Sequence, residues 1–295
     1  MRRTVRIISM LIIGMPEQPG GVMSWFSGMV RKVVIAGSAL IAVVGSFIGS
    51  GAAGGTPIQD AAGGALSASA TAIAPAGPAF GIWSVIYAGL VGFAAWQFLP
   101  GRGDATERRA RERRHDRLGV PVTLSLLLNA AWILSVQAGL LRTSGVVIVA
   151  LLAVLAWTFV VLRRTRGTGF GLVESILTDG TFGLYLGWVC VATAANIAAV
   201  LTAGGFRGFG LGLDLWGAAV AAVAGLVGIV VARAGRGRLA PAASIAWGLA
   251  WVAVARLDGP LVSVPTAVVA VVAALATVVV TLVVRAGAVR SLARA

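Results

Sequence analysis

Residues 144–162 read SGVVIVALLAVLAWTFVVL, carry no charge, and are followed at once by Arg163 and Arg164. Nineteen such residues rise about 28 Å as a helix, close to the ~30 Å hydrocarbon thickness of a bilayer. The run is continuous, whereas the strand of a membrane barrel alternates lipid-facing and lumen-facing residues. A helix satisfies its own backbone in lipid, so this stretch reads as a transmembrane helix. Working outward, seven more runs of the same kind appear, at 33–53, 80–99, 119–140, 181–201, 214–233, 242–257 and 263–285. The seventh run is short and is expected to cross a thinned or protein-lined region. The fold class is therefore an all-α integral membrane protein with eight transmembrane helices.

Charge gives the orientation. With the N-terminus in the cytoplasm, twenty-one of the 24 basic residues fall on the inside. They include Arg31 and Lys32 before the first helix, seven arginines of the loop 102–117, and Arg163, Arg164 and Arg166. Only Arg142, Arg207 and Arg256 fall outside. Such sorting follows the positive-inside rule, and one helix more or fewer in mid-chain would spoil it. Both termini are expected in the cytoplasm, and the plasma membrane is the expected location. The net charge of +14 is thereby accounted for by topology and anionic lipid headgroups, not by nucleic acid.

Other features exclude more than they assign. One cysteine, Cys190, rules out an intramolecular disulfide, and one histidine, His115, rules out a site built on paired histidines. No pair of intramembrane carboxylates and no lysine within a span appears, which argues against a proton relay. Before the first helix, Arg2, Arg3 and Arg6 precede the short run Ile8–Ile13; without a small-residue cleavage site this reads as a tail, or as an early start with Met15 or Met23 as the alternative. The loop 54–79 is Gly- and Ala-rich and stiffened by Pro75 and Pro78, so it reads equally as a lid or a connector. The loop 102–117 reads as a solvated helical extension, and Glu174 and Asp179 as loop partners of Arg163, Arg164 and Arg166. Gly45 and Gly49 mark a close helix contact.

Polar and aromatic side chains within spans are the informative ones. Trp83 and Tyr87 are four apart on the second helix, and Asn129 and Trp132 three apart on the third. On the fifth, Tyr185, Trp188, Ala192 and Asn196 share one face. The helical rise places most of these in the outer two-thirds of the bundle, under the loop 54–79. Indole faces with a few amide and hydroxyl donors suit a flat apolar ligand, and Ala192 leaves room beside Trp188. The same residues singly have plainer uses, as interfacial belts or interhelical hydrogen bonds. Trp25, Trp96, Trp157 and Trp216 read as interfacial anchors, and Trp247 and Trp251 as packing.

The three clusters carry a resemblance. Pro75-Ala-Gly-Pro-Ala-Phe80-Gly-Ile-Trp83-Ser-Val-Ile-Tyr87, Leu128-Asn129-Ala-Ala-Trp132 and Tyr185-Leu-Gly-Trp188-Val-Cys-Val-Ala192-Thr193-Ala-Ala-Asn196 resemble, in order, the second-, third- and fifth-helix motifs of the TspO/MBR family of translocator and tryptophan-rich sensory proteins. The second motif is one residue shorter than the family's between Phe80 and Trp83 and lacks its proline, and Leu184 stands where the family has another. The resemblance covers about residues 33–202, and the chain is similar to longer, eight-helix-like members. It implies a cytoplasmic tail at 1–32, a five-helix ligand-binding core at 33–202, and three added helices with a short tail at 203–295. It also implies a receptor or sensor that binds a porphyrin or other tetrapyrrole in an outward-opening pocket lined by Trp83, Tyr87, Asn129, Trp132, Tyr185, Trp188, Ala192 and Asn196. No cofactor is required; a porphyrin or haem-like molecule is the candidate ligand. The lipid bilayer and a second copy of the chain are candidate partners. A transporter of a hydrophobic small molecule is the alternative, and a tetrapyrrole-degrading enzyme a further one, though no catalytic acid–base pair is on offer.

Overall fold

The computed structural model describes residues 28–49, 51, 56–100, 104–166, 170–206 and 208–292, with only the backbone at 291 and 292. The run Ile8–Ile13, Trp25 and Arg2, Arg3, Arg6, Arg102, Arg207 and Arg294 lie outside these residues. Eight described helical spans are long and apolar enough to cross a membrane, built on α1 (Gly28–Gly49), α2 (Ile82–Trp96, extended by the preceding 3-10 turn to Gly77–Trp96), α3 (Ala105–Gln137), α4 (Leu141–Arg164), α5 (Thr181–Ala203, extended by the preceding turns to Leu172–Ala203), α6 (Leu213–Ala234), α7 (Leu239–Leu257) and α8 (Val264–Leu292). The protein is a multi-pass, all-α membrane protein. Its lipid-facing surface is apolar, with Leu40, Val85, Leu134, Val146, Leu226 and Val272 exposed on separate helices.

Two buried clusters organise the bundle. The first is contributed mainly by α1 to α5, with Ile35, Leu90, Leu126, Leu155, Tyr185 and Trp188 among its members. The second joins α5 to α6, α7 and α8 through Val191, Ala221, Leu249 and Ala270, and takes in Ile73 from the segment before α2. Small residues set the seams. A Cβ on Gly49 of α1 would come within 2.6 Å of Ile133, and one on Gly45 would lie 3.6 Å from Ala130, so the expected close contact is with α3. Gly183 and Gly187 do the same for α5 against α7, where a Cβ on Gly187 would meet the Pro241 carbonyl oxygen at 2.3 Å.

Several sequence expectations change. The first helix begins at Gly28 and ends at Gly49 instead of running 33–53. Arg31 is thus a buried helical residue, because its guanidinium pairs with Glu112 at 2.9 Å and with Asp116, both on α3. The expected helical extension is continuous with α3 from residue 105 on: Asp104 and Glu107 form a capping box and the helix runs for 33 residues. At about 50 Å it exceeds the bilayer core by several turns. Its inward face is not solvated, since Arg114 and His115 are buried. They meet Glu174 and Asp179, which do not pair with Arg163, Arg164 or Arg166. Arg114 donates to Asp179 at 2.8 Å, His115 lies 2.9 Å from Glu174, and Arg111 and Arg238 complete the group. The reason is local: Leu172–Glu174 is helical and a π-helical turn, Ser175–Gly180, carries straight into α5. That turns both carboxylates toward the bundle.

The segment 56–79 packs as a cap on the end opposite this basic end. Ile58, Ala61, Leu66 and Ala79 belong to the first buried cluster. Arg256, counted above as an outside charge, is fully buried and donates to the carbonyls of Thr71 (3.1 Å) and Ala68. Ala76 N–H donates to Trp251 O at 3.1 Å, Trp247 Nε1 to Ala79 O at 3.0 Å, and Gln137 Nε2 to Thr56 O at 2.8 Å. These bonds give backbone carbonyls of a non-helical segment the partners that burial demands.

Candidate functional site

Trp83 is the hub of a ring cluster beneath the cap. It stacks on Tyr87 one helical turn below, at 5.5 Å between centroids. Trp132 of α3 lies 6.2 Å away, and Tyr185 and Trp188 of α5 lie edge-on at 5.8 and 6.2 Å. Phe80 meets Trp188 edge-on at 5.8 Å. Edge-to-face and offset contacts at these distances are favourable for π-systems. The helix spacings noted above explain why the rings converge, since residues three or four apart share a face.

Hydrogen bonds tie the polar tips to the same place. The Tyr87 hydroxyl donates to Asn129 Oδ1, and the Tyr185 hydroxyl donates to Ser125 O at 3.1 Å. Three donors remain. Among the described residues, Asn129 Nδ2, Trp132 Nε1 and Trp188 Nε1 are buried without a hydrogen-bond partner. Each such group costs roughly 1–3 kcal/mol in a dry interior. Three in one cluster, on the two helices facing Trp83, is a concentration that a ligand's acceptor atoms would relieve.

Of the eight residues expected from sequence, six meet: Trp83, Tyr87, Asn129, Trp132, Tyr185 and Trp188. Asn196 does not join them. Its Nδ2 donates to Ser144 on α4 at 3.2 Å, where Gly145 lets the helices close. Ala192 is half-buried and packs on the edge of the first cluster. The rings come from α2, α3, α5 and the turn before α2, and the cap residues Ile58, Ala61, Leu66 and Ala79 belong to the same buried cluster. Phe80 and Ser125 were missed as contributors. Phe80 lies one turn before Trp83 in the same motif, which was signal enough; Ser125, acting through its carbonyl, had none.

Two grooves open elsewhere, both at the basic end. One, of about 580 Å³, lies beside Gln97, Phe98, Arg108 and Arg109. The other, of about 810 Å³, lies among the ends of α4, α6 and α8. Among the described residues no group of His, Cys, Asp and Glu could hold a metal ion.

No curated protein and no solved structure matches this chain. A family model described as TSPO-like protein matches residues 34–283, from α1 through most of α8 rather than the first five helices alone. On that match, which takes in the ring cluster, its cap and the three C-terminal helices together, the chain belongs to the TSPO-like protein family.

Proposed function

We propose that this protein is a membrane receptor or sensor whose ring cluster binds a flat, hydrophobic ligand, with a porphyrin or related tetrapyrrole as the fitting class. The observation that carries this is the set of three unpartnered donors, Asn129 Nδ2, Trp132 Nε1 and Trp188 Nε1, inside one cluster of aromatic rings. A planar macrocycle offers π-faces to the indoles and acceptor atoms to the N–H groups. Membership of the TSPO-like family supports a sensor- or receptor-type role. Entry requires the cap at 56–79 to lift and the rings to turn, so ligand and mobile cap are coupled by occupancy of the same space. In this orientation the basic end faces the cytoplasm and the cap faces out.

Titration of the purified protein with protoporphyrin, following tryptophan quenching, tests the reading. The wild type is expected to saturate. Trp188→Phe keeps most of the ring volume but removes one donor, and is expected to weaken binding about tenfold, or ~1.4 kcal/mol. Unchanged affinity in Trp83→Phe, Trp132→Phe and Trp188→Phe alike would return these rings to packing.

A further inference from the structure

The arginines of the basic end differ in their partners. Arg31, Arg111, Arg114 and Arg238 each hold a carboxylate. Arg163, Arg164, Arg166, Arg236 and Arg285 have no carboxylate partner among the described residues, and these five line the 810 Å³ groove together with Arg238. Among the described residues no carboxylate lines that groove, and Asp179, which Arg238 reaches, is shared with Arg114. Topology accounts for arginines at this end of the helices. It does not account for their convergence, from the ends of three separate helices, on one groove that no described carboxylate lines.

The backbone is built to hold them there. Arg236 adopts φ 53°, a left-handed conformation that an L residue keeps only where its surroundings fix it. The next residue, Gly237, lies against α8 so closely that a Cβ would stand 2.4 Å from the Arg285 nitrogen. The α6–α7 turn is thereby seated on α8, with Arg236 brought beside Arg285. The remaining wall is apolar, formed by Val284 and Val289, and is continuous with the lipid-facing Leu282 and Val283.

We propose that this groove binds the phosphate headgroup of an acidic membrane lipid, whose acyl chains lie along α8. Guanidinium groups hold phosphate oxygens in paired hydrogen bonds, and several from different helices surround one headgroup. The apolar wall sets a lipid apart from a soluble phosphate, which would gain nothing from Val284 and Val289. Basic pockets between transmembrane helices are suited to such headgroups. The site is separate from the ring cluster and stands whether or not that cluster binds a porphyrin.

Native mass spectrometry of the detergent-purified protein, with phosphatidylglycerol and phosphatidylcholine added in equal amounts, tests this. The wild type is expected to retain phosphatidylglycerol preferentially, and each lost arginine to reduce that preference about fivefold. The pairs Arg236→Gln/Arg285→Gln and Arg163→Gln/Arg164→Gln, which alter different helices, are both expected to abolish it. The pair Arg109→Gln/Arg113→Gln, on α3, removes the same charge and is expected to keep it. Equal loss in the α3 pair, or retention in both groove pairs, would overturn the proposal. Glycerol phosphate is a third arm: displacement of the lipid by it at equal concentration would overturn the lipid assignment in favour of a soluble phosphate.

Discussion

Asn129 is half satisfied: its Oδ1 accepts from Tyr87, while its Nδ2 has no partner among the described residues. A side chain in that state is poised for an acceptor that the protein itself does not supply. Ala192 tests whether its neighbourhood admits a ligand. It is half-buried on the face that carries Trp188 and packs against the first buried cluster. Ala192→Leu is expected to cost less than the about 1–3 kcal/mol typical of overpacking and to weaken porphyrin binding sharply. Melting in detergent and a porphyrin titration check the two halves. A variant that melts much earlier and binds normally contradicts the site. Residue identity at the cluster was readable because its rings recur at helical spacing. Asn196 shows the limit of that logic: it lies on the same face by period, yet its neighbour is α4, and period gives direction without naming what lies there.

At the scale of elements, glycines decide which helices touch. Gly187 of α5 meets the backbone carbonyl of Pro241 on α7, a contact that cannot yield by rotating a side chain. Gly187→Ala is expected to destabilise the fold by about 1–3 kcal/mol by parting α5 from α7, seen as a lower melting temperature in detergent. An unchanged melt would mean the seam is looser than its geometry. Eight spans were legible from run length and charge alone. The start of α1 was not, because Arg31 looks like a tail residue until Glu112 and Asp116, over eighty residues on, neutralise it. The cap was equally hidden. A Gly- and Ala-rich segment carries no pattern of its own, and its order comes from Arg256, Trp247 and Trp251 far along the chain. Gly183 and Gly187 have the same spacing as Gly45 and Gly49, a signal that was not used for them.

The whole molecule is polar along its axis, with an ion-paired and arginine-rich end and a capped end whose few charges, among them Asp60, Arg142, Asp214, Arg256 and Asp258, are of mixed sign. If the basic end faces the cytoplasm, cysteines at Ser67, in the cap, and Thr106, at the start of α3, are expected to label from opposite sides of intact cells once Cys190 is removed. Labelling of both from outside contradicts that orientation. The central claim concerns the ring cluster, and the nine tryptophans allow it to be mapped in one experiment. Bound protoporphyrin illuminated in air excites dissolved oxygen to its singlet state, which adds to the indoles nearest to it, and peptide mass spectrometry reads which ones. The account predicts modification first at Trp83, Trp132 and Trp188, although Trp132 and Trp188 are at most 3% exposed. Modification confined to Trp157 and Trp247, which are 42% and 41% exposed, with the three core tryptophans untouched, would contradict it.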